Sequence, residues 1–243
     1  MEKGLQLTQG TSEPTEAPYR ELLGSLMYVM MATRPDICFS VGYLGRYQQH
    51  PDSSHWTALK RVVRYLKGTM QTSLRFIRDE KTDPLVGFAD ADWATDQQDR
   101  KSVSGYVFQV FGNVISWSSK KQQTVATSSS EAEYVALGAG VTEAVWLAGL
   151  LDDLGIPTAL PVTIYEDNRG CIGMARNLES KRAKHIDIKH HFIRDHVAAG
   201  NINLEPIGTE NQLADIFTKS LDVGRFQRLR QILGLQDREG VKK

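Results

Sequence analysis

Acidic residues end two apolar runs of this chain, where a carboxylate could do chemistry rather than face water. Asp90 ends 86-VGFAD-90, a pattern typical of a buried strand, and Asp167 ends the similar run 162-VTIYED-167. A charged group at the end of a buried strand is unfavourable unless an opposite charge meets it. The sequence therefore predicts a cationic partner at each place, either a Lys or Arg side chain or a metal ion.

Two further carboxylates border the apolar faces of predicted helices. Glu133 flanks a stripe that should face the sheet, and Asp215 lies beside Leu213 and Ile216. Glu131 has an ordinary role open to it, because Ser128 and Glu131 have the spacing of a capping box. Glu133 has no such role, so this pattern favours Glu133 and Asp215 as the other candidate site residues.

Carboxylates that converge repel one another, and their pKa values rise unless a divalent cation compensates. Ligand sets made only of oxygen favour hard ions such as Mg²⁺ or Mn²⁺. Two such ions can activate a water and stabilise the leaving oxygen of a phosphodiester. Taken singly, each carboxylate is explained as well by capping, solvation or an ion pair. The metal site is favoured only because all four stand at the ends of elements in a compatible order.

Composition and charge narrow the function classes. Of 243 residues, 41% are hydrophobic and 24% charged, which is typical of a soluble globular protein. The 29 basic and 29 acidic residues cancel, so attraction to nucleic acid must depend on a local patch. One basic cluster opens a predicted helix, and two interpretations stay open for it, contact with backbone phosphates or exposure to solvent: Lys181, Arg182, Lys184 and Lys189.

Cysteine usage and hydropathy bear on the compartment. Cys38 and Cys171 support neither a disulfide framework nor a zinc module, which favours a reducing compartment. The polar N-terminus lacks the apolar core of a signal peptide. The most apolar stretch, Leu22 to Thr33, is about 12 residues long, whereas a membrane span needs about 20. We expect a soluble chain without a membrane partner.

Hydrophobic periodicity predicts the elements that must position these residues. Spacing of three to four residues predicts helices between 19 and 67, and alternation begins at about residue 72. The predicted strands are 73–78, 85–90, 103–110, 113–119, 162–167 and 202–207, and the later helices are 131–155, 168–177, 185–199 and 211–220. This order predicts a mixed α/β sheet with its site at the carboxyl ends of strands.

Several strings resemble the ribonuclease H domain of Copia-type (Ty1/copia) retrotransposon Pol polyproteins. They are 88-FADADWA-94, 103-VSGYVFQVFGNVISWSSKKQQTVATSSSEAEYVAL-137, 166-EDNRGCIGMA-175, 184-KHIDIKHHFIRD-195 and 211-NQLADIFTK-219. Residues 19–69 resemble the segment that connects the reverse transcriptase to that domain. The motifs occur in the order of the family and together cover nearly the whole chain from residue 19 to 221.

The resemblance implies an RNase H-like fold, an α/β five-stranded mixed sheet flanked by helices and preceded by a small helical segment. It implies a site of Asp90, Glu133, Asp167 and Asp215 that binds two Mg²⁺ ions, with Mn²⁺ able to substitute. The implied activity is hydrolysis of the RNA strand of RNA–DNA hybrids during reverse transcription. The hybrid and the reverse transcriptase part of the same polyprotein are the expected partners.

The organisation expected from the resemblance has four parts: a flexible tail over 1–17, a connection segment over 18–71, the ribonuclease H domain over 72–222, and a C-terminal helix and tail over 223–243. Ser128 and Asn168 are expected to hydrogen-bond the nucleic-acid backbone. The cytoplasm, including virus-like particles, or the nucleus is the expected location. A different class of function stays open, a non-catalytic module that binds hybrids or docks onto a reverse transcriptase.

The sequence lacks two features of a complete replication enzyme. Many ribonucleases H carry a His in the loop before the last helix, whereas the corresponding loop here, 208-GTEN-211, has none. The Tyr-x-Asp-Asp signature of a polymerase palm is also absent from the chain. This sequence by itself is therefore not expected to copy RNA into DNA.

Overall fold

The computed structural model describes residues 1, 3–8, 13–77, 82–96, 98–156, 160–177 and 187–237, without the side chains of 187–190. It divides into two compact units. The first comprises Met1–Arg75 together with Lys219–Lys243, and the second comprises Phe76–Thr218. The predicted boundaries at 71/72 and 222/223 lie close to these divisions, while the functional meaning of each part stays a prediction.

The first unit is built on helices α1 (Tyr19–Ala32), α2 (Cys38–Gly45) and α3 (Ser53–Gly68). Their apolar residues recur every three to four positions, so each helix buries one face in a shared cluster that includes Leu23, Leu44 and Leu59. The C-terminal helix α8 (Val223–Ile232) belongs to the same unit, where Arg230 Nη1 donates to the hydroxyl of Tyr65 at 3.2 Å.

Two predictions for this unit are wrong in part. The predicted strand 73–78 is shorter, and it lies outside the main sheet. Strand β1 (Thr72–Leu74) pairs antiparallel with β7 (Leu235–Asp237), a segment within the predicted C-terminal helix and tail. The flexible tail over 1–17 is also not uniform, because Leu7 is buried and its N–H donates to the Tyr43 hydroxyl at 3.1 Å. The paired strands have three residues each, and Leu7 is a single apolar residue in a polar stretch. Periodicity could therefore reveal neither contact.

The second unit contains a five-stranded mixed sheet. Its strands are β2 (Leu85–Asp92), β3 (Val103–Val110), β4 (Asn113–Lys121), β5 (Val162–Glu166) and β6 (Ile202–Pro206), in the spatial order β4-β3-β2-β5-β6. Strand β3 pairs antiparallel with both β2 and β4, and β5 and β6 run parallel to β2. This order and direction confirm the predicted α/β class and its RNase H-like sheet.

Helix α4 (Ser129–Asp153) packs on one face of this sheet, with α5 (Arg169–Arg176) and α6 (Asp187–Ala198) beside it. Among the described residues it is also the one helix long and apolar enough to span a membrane, which the sequence argument about residues 22–33 overlooked. Core helices of globular proteins can have the same length and apolar composition, and 44% of the most apolar window of α4 is buried inside the protein.

The short helix α7 (Asp215–Thr218) packs on the opposite face of the sheet. Gly105 of β3 pairs with Asp90 of β2, so the two residues project to the same side. A Cβ built on Gly105 would lie 2.8 Å from Phe217 Cβ and 2.8 Å from Thr218 Cγ2. The missing side chain therefore lets α7 approach the sheet beside Asp90.

Candidate active site

Asp90 and Asp167 meet at one edge of the sheet because of strand direction. Strands β2 and β5 are parallel neighbours, and Asp90 lies near the carboxyl end of one while Asp167 directly follows the other. The carboxyl ends of parallel strands form the usual ligand crevice of an α/β sheet. Asp90 is buried, and Asp167 is half-buried.

Glu133 reaches the same place from the first turns of α4. Its Oε2 accepts a hydrogen bond from the Ala91 N–H at 2.5 Å, which ties the helix to the end of β2. Asp90, Glu133 and Asp167 each present one carboxylate oxygen, and these atoms all lie within 4.8 Å of one another. The structure thus brings together three of the four predicted residues, whereas Asp92, the other aspartate of the FADAD string, is not in this group.

Burial and mutual repulsion make the ionised form of these clustered carboxylates energetically unfavourable without a cation. Burial, together with the nearby charges of Glu166, Asp90 and Asp167, raises the pKa of Glu133 to about 11. Glu166 is fully buried, and burial with the same aspartate charges raises its pKa well above the usual range. Glu166 is therefore a further acidic group beside Glu133, and without a cation both favour their protonated form.

Glu166 is a site neighbour that the sequence interpretation missed. The alternation of β5 points Val162, Ile164 and Glu166 to the buried side, so a period of two already places Glu166 inward. Its Oε1 accepts from the Asn168 N–H at 3.0 Å. Glu166 thus fixes the turn that carries Asp167.

Asp215, the fourth predicted residue, lies at the start of α7 and is fully buried. It is not one of the three grouped carboxylates. Its helix is nevertheless joined to the site, because the Thr218 hydroxyl donates to Asp90 Oδ2. Gln212, just before α7, donates from Nε2 to the Ala89 carbonyl at 2.9 Å. Neither Thr218 nor Gln212 gave a signal in the sequence beyond its place in the matched NQLADIFTK string.

The two predicted hydrogen-bonding residues are first of all helix caps. Ser128 Oγ accepts from the Glu131 N–H at 3.2 Å, and the Glu131 carboxylate turns back to the Thr127 N–H at 2.7 Å. Asn168 Oδ1 accepts from the Cys171 N–H at 3.0 Å and from Ser130 Oγ at 3.1 Å. The starts of α4 and α5 are therefore bonded to each other beside the carboxylates, and contact of Ser128 and Asn168 with nucleic acid stays a prediction.

The predicted basic cluster lies mostly outside the described residues. Lys181, Arg182 and Lys184 lie outside the described residues, and Lys189 lies in α6 without a described side chain. Trp93 and Trp146 are 48% and 58% exposed. Trp93 Nε1 donates to the Ala126 carbonyl at 3.1 Å, so a partly exposed ring is held near the end of β2.

The residues present suit a hard divalent cation. The three grouped ligands are all carboxylates, and the raised pKa of Glu133 shows that an added positive charge there would be favourable. Carboxylate-only donor sets fit Mg²⁺ or Mn²⁺ better than the softer transition metals. The cluster therefore has the composition of a divalent metal site.

Comparison with known proteins gives relatives over nearly the whole chain. No protein-family model matches it. The Retrovirus-related Pol polyprotein from transposon RE2 of Arabidopsis thaliana is 40% identical over 95% of this chain and 16% of its own length. The corresponding polyprotein from transposon TNT 1-94 of Nicotiana tabacum is 38% identical over 90% of this chain and 16% of its own length. The chain therefore spans only a small part of these polyproteins.

A shorter relative covers about half of the chain. Secreted RxLR effector protein 161 of Plasmopara viticola is 51% identical over 54% of this chain and 91% of its own length, so the two are members of one family. A solved structure, LC11-RNase H1 isolated from compost, is 18% identical with a TM-score of 0.42, covering 56% of this chain and 94% of that chain. By its relatives at about 40% identity over 90–95% of its length, the chain is homologous to one segment of Copia-type retrotransposon Pol polyproteins.

Proposed function

We propose that this chain is a Mg²⁺-dependent endonuclease that hydrolyses the RNA strand of RNA–DNA hybrids. The observation that carries the proposal is the convergence of Asp90, Glu133 and Asp167, with ligand oxygens within 4.8 Å, at the carboxyl ends of β2 and β5. A crystal structure of LC11-RNase H1, which is 16% identical to this chain, has been solved with an RNA/DNA hybrid. Its homology to part of the Pol polyproteins supports a role for it in reverse transcription.

Within this proposal the chain supplies ligands and rigid geometry. Asp90, Glu133, Asp167 and Asp215 would hold two Mg²⁺ ions, for which Mn²⁺ can substitute. Bound ions supply Lewis-acid chemistry, lowering the pKa of the attacking water and stabilising the leaving oxygen. The Ala91 N–H fixes the Glu133 carboxylate at 2.5 Å, and β2 and β5 fix the two aspartates, so the ligands are arranged before substrate arrives.

Substrate contact in this proposal depends on shape rather than sequence. Ser128 and Asn168 stand at the starts of α4 and α5, where backbone N–H groups and neutral side chains can meet phosphate and 2′-hydroxyl groups. The basic residues Lys181, Arg182, Lys184 and Lys189 would add phosphate contacts that carry no sequence information. The proposed partner is therefore the hybrid duplex itself.

The first prediction concerns substrate choice. The purified chain with Mg²⁺ should cut the RNA strand of a labelled RNA–DNA hybrid, leave the DNA strand intact, and spare RNA and DNA duplexes of the same sequence. The expected products carry a 3′-hydroxyl, which a polymerase can extend. Equal cutting of all three duplexes would contradict the hybrid specificity.

A second function is favoured by one surface of the first unit. Met27, Tyr28 and Met31 on α1 are exposed while Leu23 and Leu26 of the same helix are buried. An exposed apolar face of this kind suits a protein partner, and the reverse transcriptase part of the polyprotein is the one we propose. Binding of hybrid without cutting, at several Mg²⁺ and Mn²⁺ concentrations, would favour this docking role over the nuclease.

A further inference from the structure

The hydroxyl of Thr218 bonds one proposed site residue, Asp90, from the helix that begins with another, Asp215. Thr218 ends α7, is fully buried, and donates through Oγ1 to Asp90 Oδ2. The same oxygen lies 3.2 Å from the carbonyl oxygen of Asp215. A hydroxyl can donate one hydrogen bond, and here it donates to the closer acceptor, the Asp90 carboxylate. Thr218 therefore ties the helix that begins with Asp215 to the Asp90 carboxylate.

The start of the same segment is held by Gln212. This fully buried side chain donates from Nε2 to the Ala89 carbonyl at 2.9 Å, and its Oε1 accepts from the Ala214 N–H at 3.2 Å. Residues 212–218 are thus bonded at both ends to consecutive residues of β2, Ala89 and Asp90. These two bonds hold the short segment that contains Asp215 against β2.

The chemistry of the donor matters as much as its position. A buried carboxylate needs hydrogen-bond donors, because it has lost most of its contact with water. A Lys or Arg donor would satisfy Asp90 but would also neutralise it, which would weaken the attraction for a cation. The neutral Thr218 hydroxyl holds one carboxylate oxygen and keeps the full negative charge in place.

We propose that Thr218 is a positioning residue of the metal site, which orients Asp90 and ties the helix that begins with Asp215 to it. This inference rests on the proposed function, since it assigns Thr218 a role toward the divalent ions of that site. Residues that orient metal ligands through hydrogen bonds change affinity or activity by about 10- to 100-fold when they are replaced. A purely structural threonine would change stability without changing metal affinity.

The test uses the full 243-residue chain and compares Thr218→Val, which has nearly the same shape without the hydroxyl, with Thr218→Ser, which keeps it. Mg²⁺ and Mn²⁺ binding is measured by titration calorimetry, and unfolding with and without metal by circular dichroism. Thr218→Val should weaken metal binding at least about tenfold, and Thr218→Ser should stay within about threefold of the wild type. Raising the Mg²⁺ concentration should restore part of the cleavage rate of Thr218→Val.

A matched control is Thr142→Val, because among the described residues the Thr142 hydroxyl bonds along its own helix, to the Gly138 carbonyl at 2.9 Å. It should leave metal affinity unchanged. If Thr218→Val does not fold, Thr218→Ala removes the same hydroxyl without adding an atom and gives the same comparison. If the wild type binds metal and the variant without the hydroxyl binds it with the same affinity, the proposed role of Thr218 is overturned. A wild-type chain that binds neither Mg²⁺ nor Mn²⁺ would overturn the proposed function itself.

Discussion

Replacement of Glu133 by glutamine is expected to raise the melting temperature of the metal-free protein and to abolish cleavage. The pKa of Glu133 is raised to about 11 by burial and by the charges of Glu166, Asp90 and Asp167, against an ordinary value of 4.5. The folded state therefore binds one more proton than the unfolded state between these values, so stability falls as pH rises from about 4.5. A neutral glutamine removes this penalty, which is on the order of 1–3 kcal/mol at pH 7.

The glutamine side chain of the Glu133→Gln protein can still accept the hydrogen bond from the Ala91 N–H, so the helix and strand stay joined. The loss of a charged ligand should nevertheless lower the cleavage rate by about 10³-fold or more, if the site acts through carboxylate-bound metal. Thermal unfolding in EDTA at pH 5, 7 and 9 tests the stability effect, which should grow with pH. Glu131→Gln is the matched control, because Glu131 lies on the same helix turn and caps it through Thr127. A Glu133→Gln protein that is less stable at pH 9, or that cuts hybrids normally, would contradict this account.

Replacement of Gly105 by alanine is expected to reduce cleavage by about 100-fold. The new Cβ would lie 2.8 Å from Phe217 Cβ and Thr218 Cγ2 and 3.2 Å from the Ala214 carbonyl oxygen. Contacts under 3.0 Å force a shift, and α7 must move because the neighbouring atoms are close to its backbone. A displacement of about 1 Å in a positioning element can reduce a rate about 10²-fold. Overpacking should also destabilise the fold by about 1–3 kcal/mol.

Gly149→Ala is the matched control for this prediction. Gly149 lies within α4, is exposed, and a Cβ there meets no atom within 4 Å. The substitution should stabilise the helix by roughly 0.5–1 kcal/mol and leave cleavage unchanged. Rates are compared at equal folded fractions, established by circular dichroism. If folded Gly105→Ala cut hybrids at the wild-type rate, the close packing of α7 on β3 would not matter to the site.

Much of the fold could be predicted because its elements bury regular patterns. Strands β2, β3, β5 and β6 alternate, and α4 carries an apolar face, so their type and order follow from periodicity. The pairing of β1 with β7 could not be predicted in this way. It joins two three-residue strands far apart in the chain, and such segments are too short to show a period.

The candidate site shows the same limit. Asp90 and Asp167 could be placed because parallel strands bring their carboxyl ends to one edge. Thr218 and Gly105 could not, because their importance depends on which face of the sheet α7 covers. That choice is made by tertiary packing and has no counterpart in the local sequence. Glu166 could have been predicted, because alternation along β5 already points its side chain inward.

The most direct test of the central claim is a gel assay of the purified chain on a labelled RNA–DNA hybrid, with Mg²⁺, with EDTA, and with Asp90→Asn in place of the wild type. Asp90 is buried beside the other carboxylates, and asparagine removes its charge while keeping its shape. The account predicts cutting of the RNA strand with Mg²⁺ alone, loss of cutting in EDTA, and loss in a folded Asp90→Asn protein. RNA cleavage that persists in EDTA or in the mutant would contradict a metal-dependent carboxylate site.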